Sequence, residues 1–192
     1  MKPNPLNTLH PSAIGLLLLL FPSCEAEEET GVHLFVKDGK KTSVIESGWT
    51  QGDGYIEGDK HQQSSTLYAT KELGGGDFRV SVQVSMPDDS SAGFIELGPT
   101  QLHFERGELW IEGRAVTNKT VFASARPHLK SDSLVTIRIT GAEGELMLEV
   151  NEGYMGTLKQ VVPVKGKIGI YPTRGLIRVR SFFAAGDLVD PR

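Results

Sequence analysis

Cysteine is almost absent from this chain: Cys24 is the only one in 192 residues. An intrachain disulfide is therefore excluded, and a domain of this length can rely on its own buried core instead. No sustained 3.6-residue hydrophobic period runs anywhere in the sequence, which argues against a helical fold. No basic block occurs either. With 20 Lys and Arg against 24 Asp and Glu, the net charge is −4, so nucleic acid is not expected as a partner. The histidines His33, His61, His103 and His128 are scattered, with no pair at metal-ligand spacing. No Asp-x-Asp run is present, and only Pro87-Asp88-Asp89-Ser90-Ser91 places neighbouring carboxylates in a loop, which reads first as a turn. No metal or other cofactor is expected. A Gly-x-Ser-x-Gly elbow is also missing. Gly74-Gly75-Gly76 precedes a strand rather than a helix, which excludes a phosphate cradle of the usual kind.

The apolar run Ala13–Phe21 is too short for a membrane span, which needs roughly 20 apolar residues. It follows Lys2 and a polar lead and precedes Pro22-Ser23-Cys24-Glu25-Ala26. That layout predicts a secretory signal peptide over residues 1–26, cleaved after Ala26, and hence a secreted or periplasmic protein. A retained N-terminal anchor and a lipid on Cys24 are the alternatives. Residues 27–31 read as an acidic solvated tail, residues 32–186 as one domain, and residues 187–192 as a C-terminal tail.

What the chain does contain is alternation. Phe78, Val80, Val82, Val84 and Met86 alternate with Asp77, Arg79, Ser81, Gln83 and Ser85, as in a half-buried antiparallel strand. Further strands are expected at Val32–Val36, Ser65–Ala69, Thr120–Ala125, Tyr154–Val162, Lys167–Tyr171 and Gly175–Phe183. Hairpins are expected at Trp49–Gly58, turning at Asp53-Gly54, and at Leu134–Val150, turning across Gly141–Gly144. Gly74–Gly76 reads as a break between strands. About a dozen short strands with frequent turns mark an all-β sandwich or barrel. No internal repeat is evident, which disfavours a propeller.

Ala92–Gly113 is the stretch with functional content. It reads as three strands joined at Gly98-Pro99-Thr100 and Arg106-Gly107. Leu102, Phe104, Leu109 and Ile111 share one set of faces; His103, Glu105, Glu108, Trp110 and Glu112 share the other. Carboxylates, an imidazole and an indole on one face suit sugar hydroxyls and sugar rings. Trp110, His103, Glu105 and Glu112 are the candidate ligand-binding residues, and Arg79 and Gln83 would extend the face if their strand is a neighbour. Trp110 could equally pack under a loop, His103 could be an ordinary surface histidine, and Trp49 is expected in the core. Asn118-Lys119-Thr120 matches a glycosylation acceptor. Glu108 and Glu112 lie about 13 Å apart by strand rise, too far to act as a glycosidase pair.

Gly48-Trp49 through Gly58, Leu67–Thr70, Gly75–Val80, Ser91–Phe94, Leu109–Glu112 and Ile177–Phe183 together resemble the concanavalin A-like lectin/glucanase jelly rolls. The resemblance is spread over most of Val32 to Gly186. It implies an antiparallel two-sheet jelly-roll sandwich of the kind found as sugar-binding or sugar-active modules in secreted bacterial proteins. Similar modules precede sialidase propellers, and a related set is described as 3-keto-disaccharide hydrolases. The glucanases of the superfamily carry Glu-x-Asp-x-Glu, whereas here Trp110 stands at the central position of Glu108–Glu112, which disfavours glucanase activity. The sialidase aspartate boxes are missing too. A carbohydrate-binding module is the leading expectation. A hydrolase of the 3-keto-disaccharide type and a purely structural domain are the alternatives, and the expected partner is a glycan.

Overall fold

The computed structural model describes the backbone of residues 31–33 and residues 48–191 in full. The expected leader, the acidic tail and most of the Val32–Val36 strand lie outside the described residues. In chain order the strands are β1 (Gly31–His33), β2 (Trp49–Gln51), β3 (Ile56–Asp59), β4 (Leu67–Ser85), β5 (Ala92–Leu97), β6 (Thr100–Glu105), β7 (Glu108–Gly113) and β8 (Thr120–Val121). A 3-10 turn at Ala123–Ala125 follows. Then come β9 (Leu134–Ala142), β10 (Glu145–Val150), β11 (Gly153–Lys159), β12 (Gly166–Arg174) and β13 (Leu176–Val189). Among the described residues, no helix is long and apolar enough to cross a membrane.

These strands build an all-β, antiparallel, two-sheet jelly-roll sandwich. The first sheet runs β8-β7-β6-β5-β12, then the first half of β4, with the last residues of β13 beyond it. The second runs β11-β10-β9, then the second half of β4, then β13, with β3 and β1 on the far side of β13 and β2 beyond β3. The inward side chains of both sheets interdigitate in one core, which includes Leu102, Phe104, Leu109 and Ile111 from the first sheet and Val80, Val82, Val135 and Ile137 from the second. Each Val, Leu or Ile so buried contributes roughly 1.5–3 kcal/mol relative to exposure. Trp49 is buried as expected, and its indole N–H donates to the Ser65 carbonyl at 2.8 Å. Gly58 sits across from it in the β2–β3 register, and its lack of a side chain makes room for the ring, 2.7 Å from where a Cβ would stand.

The glycine run behaves differently from expectation. Instead of ending a strand, Gly74–Gly76 lies inside the 19-residue β4. Before it, β4 pairs with β12; after it, with β9. The strand thus crosses from one sheet to the other at its glycines. Gly75 takes φ +107°, and a Cβ at Gly74 would meet the Asp187 carboxylate at 2.4 Å. Asp187 instead accepts the Gly76 N–H at 2.8 Å, fixing the crossing against β13. Glycine supplies both the unusual dihedral and the close approach.

Other boundaries moved by smaller amounts. Only Thr120–Val121 of the Thr120–Ala125 segment is extended, because Ala123–Ala125 coils into the 3-10 turn. β11 stops at Lys159, and β13 continues to Val189, where its last residues pair with Glu72 and Leu73. The β9–β10 turn places Glu143 at φ +52° and Gly144 at φ +76°, the pattern of a type I′ hairpin turn.

Candidate functional site

The outer face of the first sheet carries the site. Period-two alternation turns Phe94 and Glu96 of β5 outward, with Gln101, His103 and Glu105 of β6 and Trp110 and Glu112 of β7, while their neighbours fill the core. Register then aligns these residues across strands. Tyr171 of β12 faces Phe94, Phe94 faces His103, and His103 faces Trp110. The result is a row of rings running across the strands. Tyr171 and Phe94 lie 5.2 Å apart by centroid, and Phe94 and His103 5.3 Å apart, both pairs tilted. His103 and Trp110 stack at 4.8 Å with their planes 6° apart.

A lysine closes each end. Lys119, in the segment leading into β8, holds its ammonium 4.2 Å from the Trp110 ring centroid, on the side away from β6. The indole is therefore sandwiched between His103 and Lys119. Its Nε1–H is buried and has no acceptor among the described residues. At the other end Lys60 donates to the Tyr171 hydroxyl, its ammonium 4.8 Å from that ring. Lys60 is itself anchored by its backbone N–H to the Gly175 carbonyl at 2.9 Å.

A second, more polar row runs beside the rings. Gly169 of β12 pairs with Tyr68 on one side and Glu96 on the other; Glu96 faces Gln101, and Gln101 faces Glu112. The Tyr68 hydroxyl donates to Glu96 at 3.2 Å, and Lys167 rests 4.6 Å from the Tyr68 ring. Burial pushes the Glu96 carboxyl above its ordinary range, outweighing the Tyr68 hydrogen bond and the Lys167 charge. His103 moves the other way. Burial lowers its affinity for a proton, although Glu112 pulls in the opposite sense. Glu112 Oε1 lies 3.1 Å from His103 Nε2, close enough for attraction but without hydrogen-bond alignment.

The face thus brings together Trp110, His103 and Glu112 in direct contact. Glu105 sits on the same face but is ion-paired to Arg174. Arg79 and Gln83 do not join it. They lie on the second half of β4, whose neighbours are β9 and β13, and they point outward from the second sheet. Their strand is long enough to belong to both sheets, and it presents these two residues on the far side of the sandwich. Sequence reasoning missed Phe94, Tyr171, Glu96, Tyr68, Lys60 and Lys119. Alternation alone turns Phe94 and Glu96 outward on either side of Ile95; the other four depend on strand order and loop paths. Beside the β6–β7 turn lies a separate polar cavity of about 700 Å³, lined by Glu105, Glu108, Arg126 and Lys130 among others. Among the described residues there is no cluster of three or more metal-ligating side chains.

No family model matches the chain, and no curated protein matches it. Solved structures do. A candidate glycosyl hydrolase from Parabacteroides distasonis superposes with a TM-score of 0.55 at 14% identity, over 81% of this chain and 98% of that one. The carbohydrate-binding module CBM66 from Bacillus subtilis matches with a TM-score of 0.55 at 10% identity, over 76% of this chain and 94% of that one. A Trypanosoma rangeli sialidase matches with a TM-score of 0.54 at 8% identity, over 74% of this chain but 27% of that one. At such identities the likeness is one of fold. The chain has the concanavalin A-like jelly-roll fold, in the company of carbohydrate-related β-sandwiches.

Proposed function

We propose that the protein is a secreted carbohydrate-binding module that holds a glycan on the outer face of its first sheet. The observation that carries this reading is the row Tyr171-Phe94-His103-Trp110, flanked by Glu96, Gln101 and Glu112. Aromatic rings offer apolar area to the C–H faces of sugars, while carboxylates and amides accept or donate to their hydroxyls. Because Trp110 has both broad faces covered, the exposed rims of the row and the rings of Tyr171 and Phe94 would receive the sugar. The carbohydrate-related neighbours support the reading without specifying the ligand. A glycan array with the purified protein and its Tyr171→Ala and Trp110→Ala variants tests it. Binding in the wild type that drops in both folded variants is expected; a wild type that binds no glycan would reject the reading.

Glycoside hydrolysis is a second reading, favoured by one observation. Glu96, with its raised proton affinity, and Glu112 stand two strands apart with Gln101 between them. That spacing puts their backbones about 10 Å apart, near the roughly 6.5–9.5 Å between carboxyl groups in inverting glycosidases. Glu96 would act as the acid and Glu112 as the base. Release of new reducing ends from a polysaccharide, abolished in Glu96→Gln, is the expected result; equal release by that variant would exclude the assignment.

A further inference from the structure

Resting on the carbohydrate-binding reading, we infer that the glycan held on this face is an acidic one, carrying carboxylate or sulfate groups that engage Lys60 and Lys119. The two lysines come from loops far apart in sequence, yet their ammoniums converge on opposite ends of one ring row. Neither has a carboxylate at ion-pair distance among the described residues. Lys71, Arg138 and Arg178, by contrast, are paired with Asp190, Glu149 and Glu57. Glu105 is taken by Arg174, and Glu112 lies against His103. The unpaired positive charges at the two ends of the ring row are thus those of Lys60 and Lys119, in a protein whose net charge is −4.

Spacing makes the ligand a chain. From Tyr171 to Trp110 the row crosses three strand intervals, about 14 Å, and each ammonium lies at an end of that span. A single sugar could not reach both lysines, whereas an oligosaccharide laid across the strands could present one anionic group to each. Its rings would follow Tyr171 and Phe94, and its hydroxyls would meet Gln101 and Glu112. The Tyr171 hydroxyl and the Trp110 ring face orient the two ammoniums, so both charges are positioned before the ligand arrives.

The test compares neutral polysaccharides (dextran, laminarin, xylan) with a uronate polymer (polygalacturonate, alginate) and a sulfated one (dextran sulfate). The wild type is set beside Lys60→Met/Lys119→Met, which keeps apolar side chains of similar length and deletes the charges. Binding confined to the acidic polymers, weakened roughly 2- to 30-fold in the double variant and by added salt, is expected. The uronate and sulfate arms distinguish which anion is preferred. Binding to neutral polymers as tight as to acidic ones, or acidic binding unchanged in the double variant, would overturn the inference while leaving the carbohydrate reading in place. Binding to no polymer would reject both.

Discussion

Replacing Gly141 by alanine tests the sandwich at one of its tightest points. Gly141 of β9 pairs with Phe78 of β4, and the Phe78 ring lies over the glycine. An alanine methyl would stand 2.1 Å from Phe78 Cε1 and 2.7 Å from Cδ1 and Cζ, far inside the roughly 3.5–4.0 Å at which carbons attract. Phe78 is 3% exposed, so its ring has little room to retreat. Overpacking of this kind costs about 1–3 kcal/mol, offset by about 0.4–1 kcal/mol from the stiffer unfolded chain. A net loss of about 1–2 kcal/mol lowers the melting temperature by about 2–8 °C in a domain of this size. Gly144→Ala is the contrasting case: nothing lies within 4 Å of its Cβ position, and its φ of +76° makes the cost, roughly 1–2 kcal/mol, one of backbone strain alone. Phe78→Leu should relieve the first variant and leave the second unrelieved. The assay is thermal unfolding of the two glycine variants, each with and without Phe78→Leu. A Gly141→Ala protein that melts with the wild type, or an effect of Phe78→Leu that is equal in both backgrounds, would refute this packing of β4 on β9.

Three further outcomes follow from the same geometry. Phe104→Ala empties a fully buried site opposite Gly93 and should cost about 3–5 kcal/mol in denaturant unfolding. Trp110→Ala removes the His103 stack and the Lys119 contact, worth about 0.5–1.5 and 0.5–1 kcal/mol respectively, so it should destabilise by about 1–2.5 kcal/mol before burial is counted; an unchanged midpoint would mean the ring is not sandwiched. His103 has a lowered folded-state proton affinity, so as pH falls through 6.5 the unfolded chain protonates first and stability declines. Glu96, raised in the fold, acts oppositely: its contribution is present below 4.5 and is lost as pH rises through its folded value. Stability curves from pH 8 to pH 5.5 should therefore flatten in His103→Gln, and a variant that loses as much stability as the wild type over that range would contradict the assignment.

The sequence made the inward and outward faces of individual strands readable, and left their neighbours open. Leu102 and Phe104 against His103, or Leu109 and Ile111 against Trp110, separate on alternation alone, and Trp49 was recognisable as core. Sheet order is another matter. β12 reaches β5 from far along the chain, so nothing local announces that Tyr171 will stand beside Phe94. Lys60 and Lys119 belong to loops whose paths depend on the whole sandwich. Arg79 and Gln83 failed for the converse reason: their own strand was clear, but its partners were not. The Gly74–Gly76 run carried a correct signal of backbone freedom, spent on a crossing between sheets where a break was expected.

The two tryptophans make the most direct measurement possible. Trp49 is buried, with its indole N–H bonded to Ser65, whereas Trp110 stands in the proposed glycan face. Their indole N–H resonances can be followed by NMR as an oligosaccharide chosen from the binding panel is titrated into the full-length protein. Movement of the Trp110 resonance with a still Trp49 resonance is the predicted result. Saturable binding that moves Trp49, or neither indole, would place the glycan somewhere other than the ring row and contradict the account.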